Sequence, residues 1–280
     1  MKQISLNLPE NLSSIIVKHN TINGYIYDNL SSTNDQIWQL RQENIMPPFF
    51  VIAKQQTAGK GQRGNIWRSP LGGLYLSIIL EINLSIEFIN HLTLFSIYGI
   101  VKELRTYKIP VQIKWLNDLI LEGKKLGGIL CETRSEGKII KEVVMGVGIN
   151  YENKIYNNSI SLNNYYQKTN KVTITSVNNL ATIIILGILK GYQQYLDLGI
   201  NHLVNNYNKL MYNFQDKVTI EQIKGEISGI NSQGHLQVKI TSLGASSKMS
   251  FSPHNYSISY DKLTQNYYQL TEKKAKNKSF

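Results

Sequence analysis

Apolar positions along the chain alternate between strand-like runs and helical spacing. Residues 49–53, which follow a Pro-Pro break, residues 74–80 and residues 143–149 are short apolar runs, and each is predicted to be a strand. Ile97, Val101 and Leu104 fall at i, i+4 and i+7, which predicts a mostly buried helix over residues 85–107. Ile185, Leu189, Tyr192 and Leu196 repeat at the same spacing and predict a second long helix over residues 176–196. Residues 25–27 read as a strand. Thr33 and Gln36 have capping-box spacing, so a helix is predicted from there to about Glu43. Strands are predicted at 111–115, 119–121 and 126–133, the last two joined by a Glu-Gly-Lys turn as a hairpin.

After about Phe214 the texture changes. Short alternating segments such as residues 236–240 are separated by Ser-Gln-Gly and Ser-Leu-Gly turns. A small β-barrel or sandwich is expected there, too small to be comfortable alone and packed on the rest. The expected organisation is a leader over residues 1–22, a main domain over 23–213, the small β domain over 214–270 and a basic tail over 271–280.

With 280 residues, 42% hydrophobic and 18% charged, the chain has material for a sizeable core. Its single cysteine, Cys131, excludes an intramolecular disulfide and a Cys-rich zinc site, and its apolar surroundings point to a core residue. The start lacks an apolar segment followed by a small-residue cleavage site, and the longest apolar stretch, residues 183–189, is far too short to span a membrane. A cytoplasmic location is expected. The net charge of +11 allows nucleic acid or an acidic partner, but the cations are dispersed except in the tail over residues 273–278.

Three segments carry candidate chemistry. Residues 56–67 (Gln-Thr-Ala-Gly-Lys-Gly-Gln-Arg-Gly-Asn-Ile-Trp) are glycine-rich and hold Lys60 and Arg63. Their backbone can approach a ligand closely and their N–H groups can surround an anion. Alone, the segment reads more readily as a flexible, solvated surface loop, and it lacks the Gly-Lys-Ser/Thr ending of a P-loop. Residues 113–118 (Ile-Lys-Trp-Leu-Asn-Asp) lead into residues 124–130 (Lys-Lys-Leu-Gly-Gly-Ile-Leu) and offer cations for a polyphosphate and a carboxylate, or simply a hairpin with surface lysines. Residues 145–150 (Met-Gly-Val-Gly-Ile-Asn) form a glycine-interrupted strand whose terminal amide could meet a purine edge; alone, such glycines often mark bulges.

Together and in this order, these segments resemble the biotin protein ligase family. The likeness rests on Ser32-Thr33-Asn34, the loop from Gln56 to Trp67, the Lys114-Trp115-Leu116-Asn117-Asp118 strand, the Lys125 to Leu130 turn and the Gly146 to Asn150 strand, and it covers roughly residues 23–265. It implies an α+β fold like that of class II aminoacyl-tRNA synthetases, a mixed sheet with flanking helices, followed by a small SH3-like β-barrel. It implies ATP-dependent formation of biotinyl-AMP and transfer of biotin to a lysine of a biotin carboxyl carrier protein, with Mg²⁺ assisting. No DNA or membrane partner is expected, and the chain would act as a monomer or homodimer.

Residue by residue, the resemblance assigns biotin to Ser32, Thr33, Asn34, Gln56, Lys60, Gly61, Gln62, Lys125 and Gly128. It assigns ATP and the adenylate to Gly59, Lys60, Arg63, Trp67, Lys114, Asn117 and Asn150. Lys125, Lys60 and Arg63 would be catalytic, and Asp118 would help to hold magnesium. His19, His91, His202, His235 and His254 match no motif and read as surface or packing residues.

The match departs from the family at three places. Leu116 replaces the usual proline, while Gln62 and Asn65 stand where arginine is common. Only about 22 residues precede the main domain, against the roughly 60 that a DNA-binding winged helix needs, so repressor activity is not expected. Two rivals remain. A lipoate or octanoate ligase shares the fold, but its Arg-Arg-x-Gly-Gly-Gly loop is absent. A basic nucleic-acid-binding protein would need clustered cations interleaved with aromatic residues.

Overall fold

The computed structural model describes residues 1–9, 12, 20–156, 158–221, 223–242, 245–260 and 267–272. The expectations for His19 and for most of the basic tail lie outside these residues.

An eight-stranded mixed sheet forms the body of the main part. Its strands are β1 (Lys2–Asn7), β2 (Thr21–Leu30), β3 (Phe49–Gln56), β4 (Leu74–Ser85), β5 (Gln112–Lys114), β6 (Asp118–Leu121), β7 (Lys124–Glu136) and β8 (Ile139–Ile149). They lie in the order β1-β2-β3-β4-β8-β7-β6-β5, antiparallel except for the β2–β3 pair. The apolar runs sit at the centre because both sheet faces there are covered. Phe50, Ile52, Leu76, Ile78 and Met145 enter one core, while Phe49, Val51, Ile79 and Val144 enter another. A strand buried on both sides has no polar face to alternate with, which explains its unbroken pattern.

The second, smaller core lies under α1 (Thr33–Gln42), which contributes Ile37 and Leu40. The larger lies under α2 (Ile89–Thr106) and α4 (Val177–Leu210), with α3 (Leu162–Thr169) beside it. Helices α2 and α4 meet backbone to backbone. A Cβ on Gly99 would lie 2.0 Å from the Gly187 carbonyl oxygen, and one on Gly191 would lie 2.1 Å from that of Phe95. The sequence pattern stops α4 at residue 196. The helix resumes beyond a break at Gly199, whose φ of 74° suits glycine, and continues to Leu210. The predicted hairpin is present, and Glu122 and Gly123 both take positive φ in its tight turn. Strand β1 pairs with β2 over six residues of the leader, whose exposed, weakly apolar pattern gave no strand signal.

The C-terminal segment forms a second sheet from β9 (Lys217–Ile220), β10 (Ile223–Ile230), β11 (Leu236–Ser242), β12 (Ala245–Phe251), β13 (Tyr256–Ile258) and β14 (Tyr268–Glu272). Its order is β12-β11-β10-β9-β14-β13, and among the described residues β12 and β13 do not pair, so the barrel is not closed. This sheet docks on the main part through polar anchors. Asn208 Oδ1 accepts from the Ile230 N–H at 2.9 Å, Trp115 Nε1 donates to the Gly234 carbonyl at 2.9 Å, and the His91 ring meets the Ser232 carbonyl at 2.7 Å.

Candidate active site

The N-terminus of α1 supplies the first wall of the site. Ser32 caps the helix and accepts from the Asp35 N–H at 3.5 Å, one residue earlier than the spacing of Thr33 and Gln36 predicts. Thr33 donates to Gln56 Oε1 from its backbone N–H at 2.8 Å and from its hydroxyl at 3.2 Å, and Gln56 Nε2 donates to Ser69 Oγ at 2.8 Å. Beneath them the Ser77 hydroxyl lies 2.6 Å from Asn34 Oδ1 and 2.7 Å from Thr33 Oγ1. These bonds fix the orientation of every polar side chain on this wall. They leave the buried Asn34 Nδ2 without a partner among the described residues.

The floor is β8. Its glycines are there because side chains lie directly on its backbone. A Cβ on Gly146 would stand 2.2 Å from Asn34 Oδ1, and one on Gly148 would stand 2.3 Å from Trp67 Nε1. The buried Trp67 indole N–H also lacks a partner among the described residues. Two donors are thus held in the cavity wall with no protein acceptor, an arrangement that costs free energy unless water or a ligand meets them.

The glycine-rich loop folds over the opening as a compact turn. Gly61 N–H bonds the Asn65 carbonyl at 2.7 Å, Trp67 N–H bonds that of Gly59 at 2.8 Å, and Arg63 and Gly64 adopt positive φ. Lys60 reaches out of the loop to Asp35 on α1, with Glu132 of β7 3.6 Å away. Burial works against the Lys60 ammonium, but the hydrogen bond to Asp35 and the nearby charge of Glu132 outweigh it, so its pKa stands above the ordinary lysine value. Arg63 donates to the carbonyls of Pro253 and His254, tying the loop to the second sheet.

The far wall gathers the remaining charges. The Lys125 ammonium lies 2.7 Å from Asp118 Oδ1, and Tyr260 donates its phenol hydrogen to Asp118 Oδ2. The buried Lys114 donates to the Ile258 carbonyl at 2.7 Å. Burial drives its pKa down to about 8, with Asp118 opposing and Lys125 adding to the fall. Asn117 Nδ2 donates to the Ile129 carbonyl at 2.9 Å and so ties the turn to β7. The Trp115–Leu116 peptide, at the position where proline was expected, is cis.

These walls enclose one open cavity of about 1120 Å³. Of the residues singled out in the sequence, Ser32, Thr33, Asn34, Gln56, Lys60, Gly61, Gln62, Arg63, Trp67, Lys114, Asn117, Asp118, Lys125 and Gly128 line it. Gly59 and Asn150 do not. Asn150 is held behind the wall, donating to the Ile160 carbonyl at 3.3 Å and accepting from Asn153 Nδ2 at 3.0 Å. Sequence reasoning passed over Ser77, the Lys60 partners Asp35 and Glu132, and the stretch of residues 253–260, which lie far from the motifs in sequence. Of the histidines, His254 stands on the cavity wall and His91 is packed against Tyr195 and the second sheet.

Among the described residues, Asp118 is the only carboxylate on the lining, which also carries Lys60, Arg63, Lys114 and Lys125. Both of its oxygens are engaged by donors, and no group of three or more His, Cys, Asp or Glu among the described residues could hold a metal ion. A metal ion at Asp118 would therefore need further ligands from outside the protein, such as nucleotide phosphates. No helix among the described residues is long and apolar enough to cross a membrane.

Residues 27–150 match the model of the biotin/lipoate A/B protein ligase family. The bifunctional ligase/repressor BirA of Bacillus subtilis is 35% identical over 126 residues, spanning 44% of this chain and 39% of that one. The BirA of Escherichia coli is 30% identical over 219 residues, spanning 74% of this chain and 66% of that one. The chain thus covers less than two thirds of the length of either relative. In fold, it is similar to the biotin protein ligase of Aquifex aeolicus solved with biotin and ATP, with a TM-score of 0.62, 19% identity, and 89% of this chain and 99% of that one covered. With all five motifs falling within the matched residues and converging on a single cationic cavity, residues 27–150 carry the domain of the biotin/lipoate A/B protein ligase family.

Proposed function

We propose that the protein is an ATP-dependent biotin protein ligase, which joins biotin to AMP and passes the biotinyl group to a lysine of a carrier protein. The observation that carries this reading is the cavity's charge. Among the described residues, four cationic side chains and one carboxylate line it, next to a ledge of fixed amide and hydroxyl groups. A carboxylate becomes an acylating agent only after adenylation, which brings it together with a triphosphate. Preorganised cations at that point stabilise the developing charge without reorganisation.

In this reading the head of biotin lies against Ser32, Thr33, Asn34 and Gln56, where the unpaired Asn34 Nδ2 meets an acceptor of the ligand. Lys125 faces the carboxylate and the α-phosphate; Lys114, Lys60 and Arg63 face the phosphates. Trp67 and Asn117 border the nucleotide. The loop over residues 57–65 shields the mixed anhydride from water. Magnesium would enter with the nucleotide phosphates. The carrier is a biotin carboxyl carrier protein, such as that of acetyl-CoA carboxylase, and the compartment is the cytoplasm.

The test is to incubate the protein with ATP, labelled biotin and an unmodified biotin carboxyl carrier domain. Label should appear on the carrier's lysine, only with ATP, and excess lipoate should not compete. Transfer of lipoate in place of biotin would assign the chain to the lipoate branch of its family. Label on neither would contradict the ligase reading.

A further inference from the structure

The motifs that define the site all lie in the main part, yet the far wall of the cavity is finished by the second sheet. Just past β13, Tyr260 comes to rest between the two lysines and the single carboxylate of the site. Its hydroxyl donates to Asp118 Oδ2 while Lys125 takes Oδ1 at 2.7 Å. Its ring centroid lies 4.1 Å from Lys114 Nζ and 5.6 Å from Lys125 Nζ, within reach of a cation–π attraction to both. Two residues earlier, the Ile258 carbonyl accepts from Lys114 at 2.7 Å. One short stretch of the second sheet therefore contacts all three charged groups of this wall.

Taking the ligase reading as its basis, we propose that Tyr260 is a positioning residue for the Asp118–Lys125 pair, so that the second sheet completes the apparatus that adenylates the carboxylate. Asp118 has two oxygens and two cationic neighbours. Without a donor on Oδ2 the carboxylate can rotate towards Lys114, and Lys125 then loses the anchor that holds its ammonium at the cavity surface. The phenol occupies Oδ2 and leaves Oδ1 for Lys125. Burial and the Asp118 charge hold the Tyr260 pKa well above its ordinary value, so the group remains a donor throughout the working range of pH. The ring supplies a second restraint, since its face attracts both ammonium groups while donating nothing that would compete for Asp118.

The experiment is biotin-dependent ATP–pyrophosphate exchange by wild type, Tyr260→Phe, Asp118→Asn and the double variant, each checked for folding by thermal melting. Tyr260→Phe keeps the ring and removes only the donor. Its kcat should fall by about tenfold or more, the scale of one hydrogen bond to a charged group, while KM for biotin stays within about twofold. In the Asp118→Asn background the same substitution should have almost no further effect, because the group through which it acts has already been changed. Wild-type kinetics in Tyr260→Phe, or an equal loss in both backgrounds, would overturn the positioning role while leaving the ligase reading intact. Absence of biotin-dependent exchange in the wild type would overturn both.

Discussion

Four lysine and arginine side chains share this cavity, but their environments assign them different tasks. Lys125 is partly exposed and pinned by one carboxylate oxygen, so its ammonium is both fixed and available. If it meets charge that develops at the reacting carboxylate, Lys125→Ala should fold normally yet lose about 3–4 kcal/mol of transition-state stabilisation, as for removal of an oxyanion donor; near-normal exchange by the folded variant would refute that role. Lys114 is buried, with its pKa brought down to about 8 from the lysine value of about 10.4. As pH rises through about 8 the cavity loses a positive charge, so ATP affinity should fall there, more than two units below the pKa of an ordinary lysine. The stability effect has the opposite sign. Between the two values the unfolded chain binds the extra proton, so the cost of burying this ammonium, present in full at neutral pH, is relieved as pH rises. Titrating ATP binding by calorimetry from pH 7 to pH 9.5 reads the first effect, and a flat profile would contradict it. Gln62, where arginine is common in the family, lines the cavity with no charge. Gln62→Arg should slow release of preformed biotinyl-adenylate, by up to about thirtyfold if nothing else already compensates; a pulse–chase measurement of labelled adenylate checks this. Cys131 shows no sign of chemistry, since burial holds its thiol above the ordinary pKa.

Among the elements, the apolar runs and helical spacings were legible because each is set by burial on a regular lattice. The β4 and β8 strands, α2 and the hairpin at residues 121–124 all stand where their patterns place them. The pattern failed where partners are remote. Strand β1 is exposed along most of its length and exists because β2 offers it an edge, and α4 runs beyond residue 196 only because Gly199 permits a break. The glycines of β8 looked like possible bulges. They are landing sites for Asn34 and Trp67, contacts that no local pattern encodes. The same reasoning applies to α2 and α4, whose close approach leaves no room for a side chain at Gly99 or Gly187. Gly187→Leu should cost about 3 kcal/mol or more, the upper range for forced overpacking, and denaturant titration reads it directly. The loop over residues 57–65 is held by few buried contacts, and local opening is cheapest in such segments. Trypsin should cut at Lys60 or Arg63 without ligand, and biotin with ATP should protect both sites; equal cleavage in the two states would count against closure of the loop.

For the molecule as a whole, the sequence made the first part of the site legible and concealed the second. Fourteen of the residues named from motifs line one cavity, because a short loop, a helix N-terminus and the ends of several strands converge on a single sheet. Tyr260, Pro253 and His254 could not be found in this way. They arrive from a sheet whose docking depends on Trp115, Asn208 and His91; Trp115 and His91 each meet a carbonyl more than 100 residues away, a separation that leaves no periodic trace. The +11 charge, ambiguous in composition, acquires a local meaning in a cavity with four cations and one carboxylate. The central claim is that this cavity adenylates biotin. ATP–pyrophosphate exchange with and without biotin tests it most directly: the account predicts exchange that requires biotin and collapses in Lys125→Ala, whereas exchange indifferent to biotin, or none at all, would contradict it.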